Sequence, residues 1–121
     1  MAITIAKRSI EKISIIDDQA FVRESYELAV EDLGLESVSE TGPLDDEVTN
    51  CVESISHKAD AAICDYKLKV KGGYAKFNGA ELAAGFYKMK FPALLCTKWH
   101  TADIDEMRPY RRYIPSLIVP A

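Results

Sequence analysis

The sequence predicts an α/β fold in which a parallel sheet of five strands is covered by helices on both faces. Three observations predict it. Short β-branched runs alternate with stretches whose apolar residues recur at helical spacing. The runs are apolar along their length, as strands buried on both faces are, whereas half-exposed strands would alternate. Turn and cap residues stand at the junctions, where the chain changes element.

"KISIID" (12–17) is the first strand, and Phe21, Val22, Ser25, Leu28, Ala29 and Leu33 then follow at helical spacing, with Gly34 where a helix C-cap belongs. "LESVSE" (35–40) is the second strand, and Thr41-Gly42-Pro43 marks a turn. Asp45, Asp46 and Glu47 suit the positive end of a helix that carries Val48, Cys51, Val52 and Ile55 on one face. "DAAICD" (60–65) is the third strand, and after a long loop Ala80, Leu82, Ala83, Phe86 and Tyr87 form a third helical stripe that stops before Pro92. "PALLCT" (92–97) is the fourth strand, and Asp103 with Glu106 gives a capping box for a short fourth helix, broken near Pro109. "SLIV" (116–119) is the fifth strand, two residues from the end, so no fifth helix is expected.

The 121 residues make one domain, 1–121, with residues 1–11 as an N-terminal extension. A formal charge of −4 argues against a nucleic-acid surface, which needs a basic excess. No apolar run approaches the roughly 18 residues of a membrane span, and the charged, alternating start is unlike a signal peptide. Cys51, Cys64 and Cys96 are odd in number and widely spaced, with only two histidines in the chain. That is a reduced, cytoplasmic pattern in which the cysteines serve as small core residues.

In an open parallel sheet the site lies at the carboxyl ends of the strands. Asp17 and Asp18 end the first strand, Asp65 the third and Thr97 the fourth. Neighbouring strands then gather three carboxylates and a hydroxyl, and three carboxylates so close do not all stay ionised unaided. A hard divalent cation removes the conflict, and Mg²⁺ suits oxygen ligands with retained waters. Each acid alone has a plainer reading, in which Asp18 simply caps the first helix.

With these residues in place the chain resembles a response-regulator receiver domain from Lys12 to Pro120. The matching features are the pair Asp17-Asp18, the phosphoacceptor position Asp65, Thr97 after the fourth strand, Asn78-Gly79 opening the third helix, and Pro120 after the fifth strand. The resemblance implies a flavodoxin-like, doubly wound sheet of order 2-1-3-4-5. It also implies a phosphorelay signalling domain, not an enzyme, in which Asp65 takes a phosphoryl group from a histidine kinase or phosphotransfer protein. Mg²⁺ would be held by Asp18, Asp65 and the main-chain carbonyl of Lys67, with Asp17 orienting its waters and Thr97 turning inward to the phosphoryl oxygen.

The chain also departs from that pattern. Val119 stands where receivers carry a lysine, Ser116 where they carry a switch aromatic, and Trp99 where the residue tuning dephosphorylation varies. Lys98, beside Thr97, is either a replacement charge or an ordinary exposed lysine. The loop "YKLKVKGGYAKFNG" is either a partner-docking flap or a solvated segment whose lysines offset nearby acids. Without a fifth helix, apolar side chains of "SLIV" and of the first strand are expected to be wet on one face. That face calls for a second copy, a further domain or the segment "MAITIA" to cover it. Two other functions compete. One is a receiver-like interaction module without phosphate signalling. The other is a hydrolase using Asp65, disfavoured because such enzymes need an acid two residues on, where this chain has Lys67.

Overall fold

An antiparallel hairpin, β1 (Ile3–Ile5) and β2 (Arg8–Ile10), leads into the sheet in the computed structural model, which describes residues 3–5, 8–68, 73–96 and 117–118. This stretch, read in the sequence as an N-terminal extension, thus carries strands of its own. Its alternation of apolar and polar residues was the available signal. Ile10 is fully buried, so the end of the hairpin is anchored in the core.

β3 (Lys12–Ile16), β4 (Glu36–Glu40), β5 (Ala61–Asp65), β6 (Ala93–Cys96) and β7 (Leu117–Ile118) form one parallel sheet in the order β4-β3-β5-β6-β7. Numbered among themselves these strands run 2-1-3-4-5, the doubly wound order expected. The Asp60 carboxylate ties the start of β3 to that of β5 by accepting from the main-chain N–H groups of Glu11 and Lys12, both at 3.0 Å.

α1 (Ala20–Asp32) covers one face of the sheet, burying Ile13, Ile15, Val30, Leu35 and Ala61 with Tyr26 packed against them. The apolar side chains of the first strand expected to be wet on one face are covered here, since Ile13 and Ile15 are buried with Val30 of α1. Ile63 and Leu94, paired across β5 and β6 on the same face, stay partly exposed. The helix also presents a different stripe from the one read in the sequence. Phe21 and Leu28 are 67% and 63% exposed, while Val22 and Val30 are buried. Residues 22, 26 and 30 form one line along a helix and 21 and 28 another, and spacing alone does not choose between them. Leu33 ends α1, and Gly34 follows with φ of 78°, the left-handed residue the C-terminus needs.

α2 (Val48–Lys58) and α3 (Gly79–Lys88) cover the opposite face with Cys51, Val52, Ile55, Leu82, Ala83 and Phe86 around Ile16, Ala62, Cys64 and Leu95. Tyr87, expected on the inward stripe, lies outside at 47% exposure. The described part of the long loop is not simply solvated, although Lys76 does pair with a nearby acid, Asp46, at 3.3 Å. Lys67 and Lys76 point to solvent, but Tyr66, Leu68, Tyr74, Ala75 and Phe77 all sink into this core. Burying that much aromatic surface anchors the segment to the body of the domain. Lys69 and Lys71 lie outside the described residues, as does the expected fourth helix.

Candidate metal centre

Register brings the acids together. Ile16 pairs with Cys64 across β3 and β5, so Asp17, the next residue, emerges beside Asp65 at the carboxyl edge. One carboxylate oxygen from each of Asp17, Asp18 and Asp65 lies within 4.8 Å of the others. Asp17 is 3% exposed and the other two are half-buried. All three offer hard oxygen donors at a spacing one cation can bridge, which fits Mg²⁺ and does not fit a soft metal.

Local structure holds each acid in place. The Asp17 Oδ1 accepts from the Gln19 N–H at 2.9 Å, turning the chain directly into α1. Gln19 is the N-cap residue and no side chain caps the helix, so Asp18 does not play the plainer role open to it. Asp65 is held from behind by the start of α3. The Gly79 N–H donates to the Tyr66 carbonyl at 2.6 Å, and a Cβ on Gly79 would run into the Asp65 carbonyl oxygen. Only glycine allows the helix so close to the strand end. Asn78 does not cap α3; its Oδ1 accepts from the Leu68 N–H at 3.2 Å and holds the loop. Lys67 begins that loop, two residues beyond Asp65.

Asp65 pairs with Cys96, so Cys96 shares its face of the sheet, whereas Cys64 pairs with Leu95 and faces α2 and α3. The two thiols therefore point to opposite faces, and all three cysteines are free and buried. Burial, and next the Asp65 charge, push the Cys64 thiol well up. On the α1 side Tyr26 stands near Cys96, and burial first, then its interaction with Cys96, raise the phenol.

Two contributors were missed in the sequence. Arg23, in the first turn of α1, donates from Nη1 to the Asp17 main-chain oxygen at 2.6 Å. Tyr74 donates to the Glu40 main-chain oxygen at 2.6 Å, joining the loop after β5 to the end of β4. Burial raises the Tyr74 hydroxyl, and the Arg23 charge opposes that rise. A basic residue in a first helical turn, just after two acids, was the signal for Arg23. Thr97, Lys98, Trp99, Ser116 and Val119 lie outside the described residues.

Solved structures of receiver domains share this fold. The response regulator TrrA of Thermotoga maritima, solved in complex with Mg²⁺–BeF, superposes with a TM-score of 0.66 at 17% identity, covering 93% of this chain and 88% of its own. The chemotaxis protein CheY4 of Vibrio cholerae gives 0.62 at 15% identity, covering 91% and 86%. The BeF₃-activated N-terminal receiver domain of RstA from Klebsiella pneumoniae gives 0.64 at 18% identity, covering 90% and 85%. No protein-family model matches the chain, and no curated protein does. At these identities the likeness establishes the receiver fold.

Proposed function

We propose that this chain is a phosphoacceptor receiver domain that takes a phosphoryl group on Asp65 from a histidine kinase or phosphotransfer protein. One observation carries the reading: three carboxylates meet at the carboxyl edge of a receiver-type sheet, within 4.8 Å of one another. Mg²⁺ held by Asp18, Asp65 and the Lys67 carbonyl, its waters oriented by Asp17, would neutralise charge on the phosphoryl oxygens.

The chain's own part is that of a positioned nucleophile. An Asp65 carboxylate oxygen forms a bond to phosphorus as the donor's phosphorus–nitrogen bond breaks, and the electron pair returns to the imidazole. Gly79 and the β5–β6 pairing hold that carboxylate at the edge, and Thr97 would supply a hydroxyl for a phosphoryl oxygen. The product is a phosphoprotein, so the role is signalling and not turnover. Among the described residues no helix is long and apolar enough to cross a membrane. The acidic balance suits a cytoplasmic protein acting on protein partners. The partly exposed pair Ile63 and Leu94 supports one further partner on the α1 side, a second copy or a further domain.

A second reading keeps the fold and drops the phosphate. Val119 has no donor where receivers carry a lysine, which favours a pure interaction module. Intact mass after incubation with acetyl phosphate and Mg²⁺ separates the two. The phosphoacceptor reading expects one phosphate increment that Asp65→Asn abolishes. No increment in the native chain, or one that survives the substitution, overturns it. Titrating Mg²⁺ while following Trp99 emission and thermal stability tests the metal independently.

A further inference from the structure

We propose that Arg23 is the anion clamp of this site, its guanidinium holding the phosphoryl group that Asp65 would carry. The inference rests on the phosphoacceptor reading and deepens it. It starts from an oddity of placement. Arg23 sits in the first turn of α1, where the helix already presents its positive end and where no acid stands to offset it. A cation there is unfavourable by itself. Directly before the helix stand Asp17 and Asp18, which cluster with Asp65, and Arg23 reaches back to the Asp17 main chain.

Yet the guanidinium does not spend itself on those carboxylates. Among the described residues it makes one hydrogen bond, from Nη1 to the Asp17 main-chain oxygen, and no ion pair. It is half-buried, and its charge reaches the Tyr74 hydroxyl, which comes from the other side of the sheet. Arg23 therefore lies across the top of β3, at the rim of the acid cluster. Its main-chain bond fixes the plane, and an arginine holds five N–H donors in a rigid fork. One is used. The others suit two oxygens of one tetrahedral anion, a geometry a lysine cannot offer.

Charge at the site gives the same answer. An acyl phosphate on Asp65 brings about −2 to an edge that already carries the Asp17 and Asp18 carboxyl groups, so a fixed cation at the rim is favourable beside the dication. Arg23 supplies a positive charge already anchored at the rim before the anion arrives. It costs little reorganisation when the anion binds.

The test separates anion from metal. Calorimetry of Mg²⁺ alone, then of beryllofluoride with saturating Mg²⁺, is run on the native chain, Arg23→Met and Arg23→Lys. Arg23→Met should weaken beryllofluoride at least about tenfold, the low end for a charged hydrogen bond, while Mg²⁺ binding holds or tightens about threefold as a repelling cation leaves. Arg23→Lys should fall between the two, since it keeps charge and loses the fork. Adding Val119→Lys to Arg23→Met should restore part of the lost affinity. If both ligands weaken together in Arg23→Met, the residue is only a brace for α1 and the inference fails. It fails also if beryllofluoride affinity stays within about twofold of native in that variant, or if Arg23→Lys equals the native chain. Absence of beryllofluoride binding in the native chain overturns the phosphoacceptor reading itself, and a native chain that binds it keeps the two failures apart.

Discussion

Replacing Gly79 by alanine puts a methyl group where the start of α3 meets the end of β5. The added Cβ overlaps the Asp65 carbonyl oxygen and stands 2.9 Å from both the Asp65 carbonyl carbon and the Tyr66 Cα. Carbon atoms pack best at about 3.5–4.0 Å, so helix and strand must part by roughly 1 Å. Nothing in the clash is a flexible side chain, so the backbone itself has to yield. Such overpacking costs about 1–3 kcal/mol. Lengthening the 2.6 Å bond from the Gly79 N–H to the Tyr66 carbonyl adds about 1 kcal/mol. The helix-propensity gain of alanine over glycine returns at most about 1 kcal/mol. With the full alanine gain returned, the expected net loss is about 1–3 kcal/mol, or about 0.5–1.5 M in urea midpoint at a slope of about 2 kcal/mol per M. Gly85→Ala is the matched control in the same helix. Its Cβ would meet only the Val52 and Val48 methyls, at 3.0 and 3.2 Å, and side chains can give. It should therefore leave the midpoint unchanged or slightly raised. Because Gly79 supports Asp65, Gly79→Ala should also weaken Mg²⁺ binding, which Gly85→Ala should not. Urea unfolding and Mg²⁺ titration of both variants check this. Equal midpoints and equal affinities would refute the argument that close approach at Gly79 positions the acid.

Ser14, fully buried in the middle of β3, has a hydroxyl with no hydrogen-bond partner among the described residues. Ser14→Ala should thus leave stability unchanged or raise it by up to about 1 kcal/mol, read as a rise in thermal midpoint; a clear drop would show that the hydroxyl has a partner in solution. The Cys51 thiol is pushed up to about 11 by burial, with the Glu40 and Asp45 charges adding to it. A raised thiol pKa means the folded state holds its proton more tightly, so its stabilising contribution is complete below the ordinary thiol value and is lost as pH rises from about 9 to about 11. Urea midpoints of the native chain should fall across that window, and Cys51→Val should flatten the fall; an equal slope in both would remove Cys51 as a cause.

Much of this architecture was legible because it is written locally. Strand runs such as "KISIID" and "DAAICD", the left-handed Gly34 and the break before Pro92 each depend on a few adjacent residues, and each formed where the chain indicated it. The acid cluster was legible too, since a parallel doubly wound sheet puts every strand's carboxyl end on one edge, and Asp17, Asp18 and Asp65 stood at those ends. What periodicity could not tell was which way things face. Phe21 and Val22 lie on helical stripes that both satisfy the spacing, and only the seating of α1 on the sheet selected Val22 for burial. Cys64 and Cys96 occupy like positions in their strands, but a register of Cys64 with Leu95 sends them to opposite faces. Tyr66 and Tyr74, in a loop rich in lysine, turned inward because the gap beside α2 and α3 had to be filled. Arg23 was one more charge on a helix until the chain brought its guanidinium over the end of β3. Propensity and turn chemistry act over a few residues, and the sequence shows them. Facing, register and the partners of a side chain are set by contacts between distant segments, and those exist only once the sheet has closed.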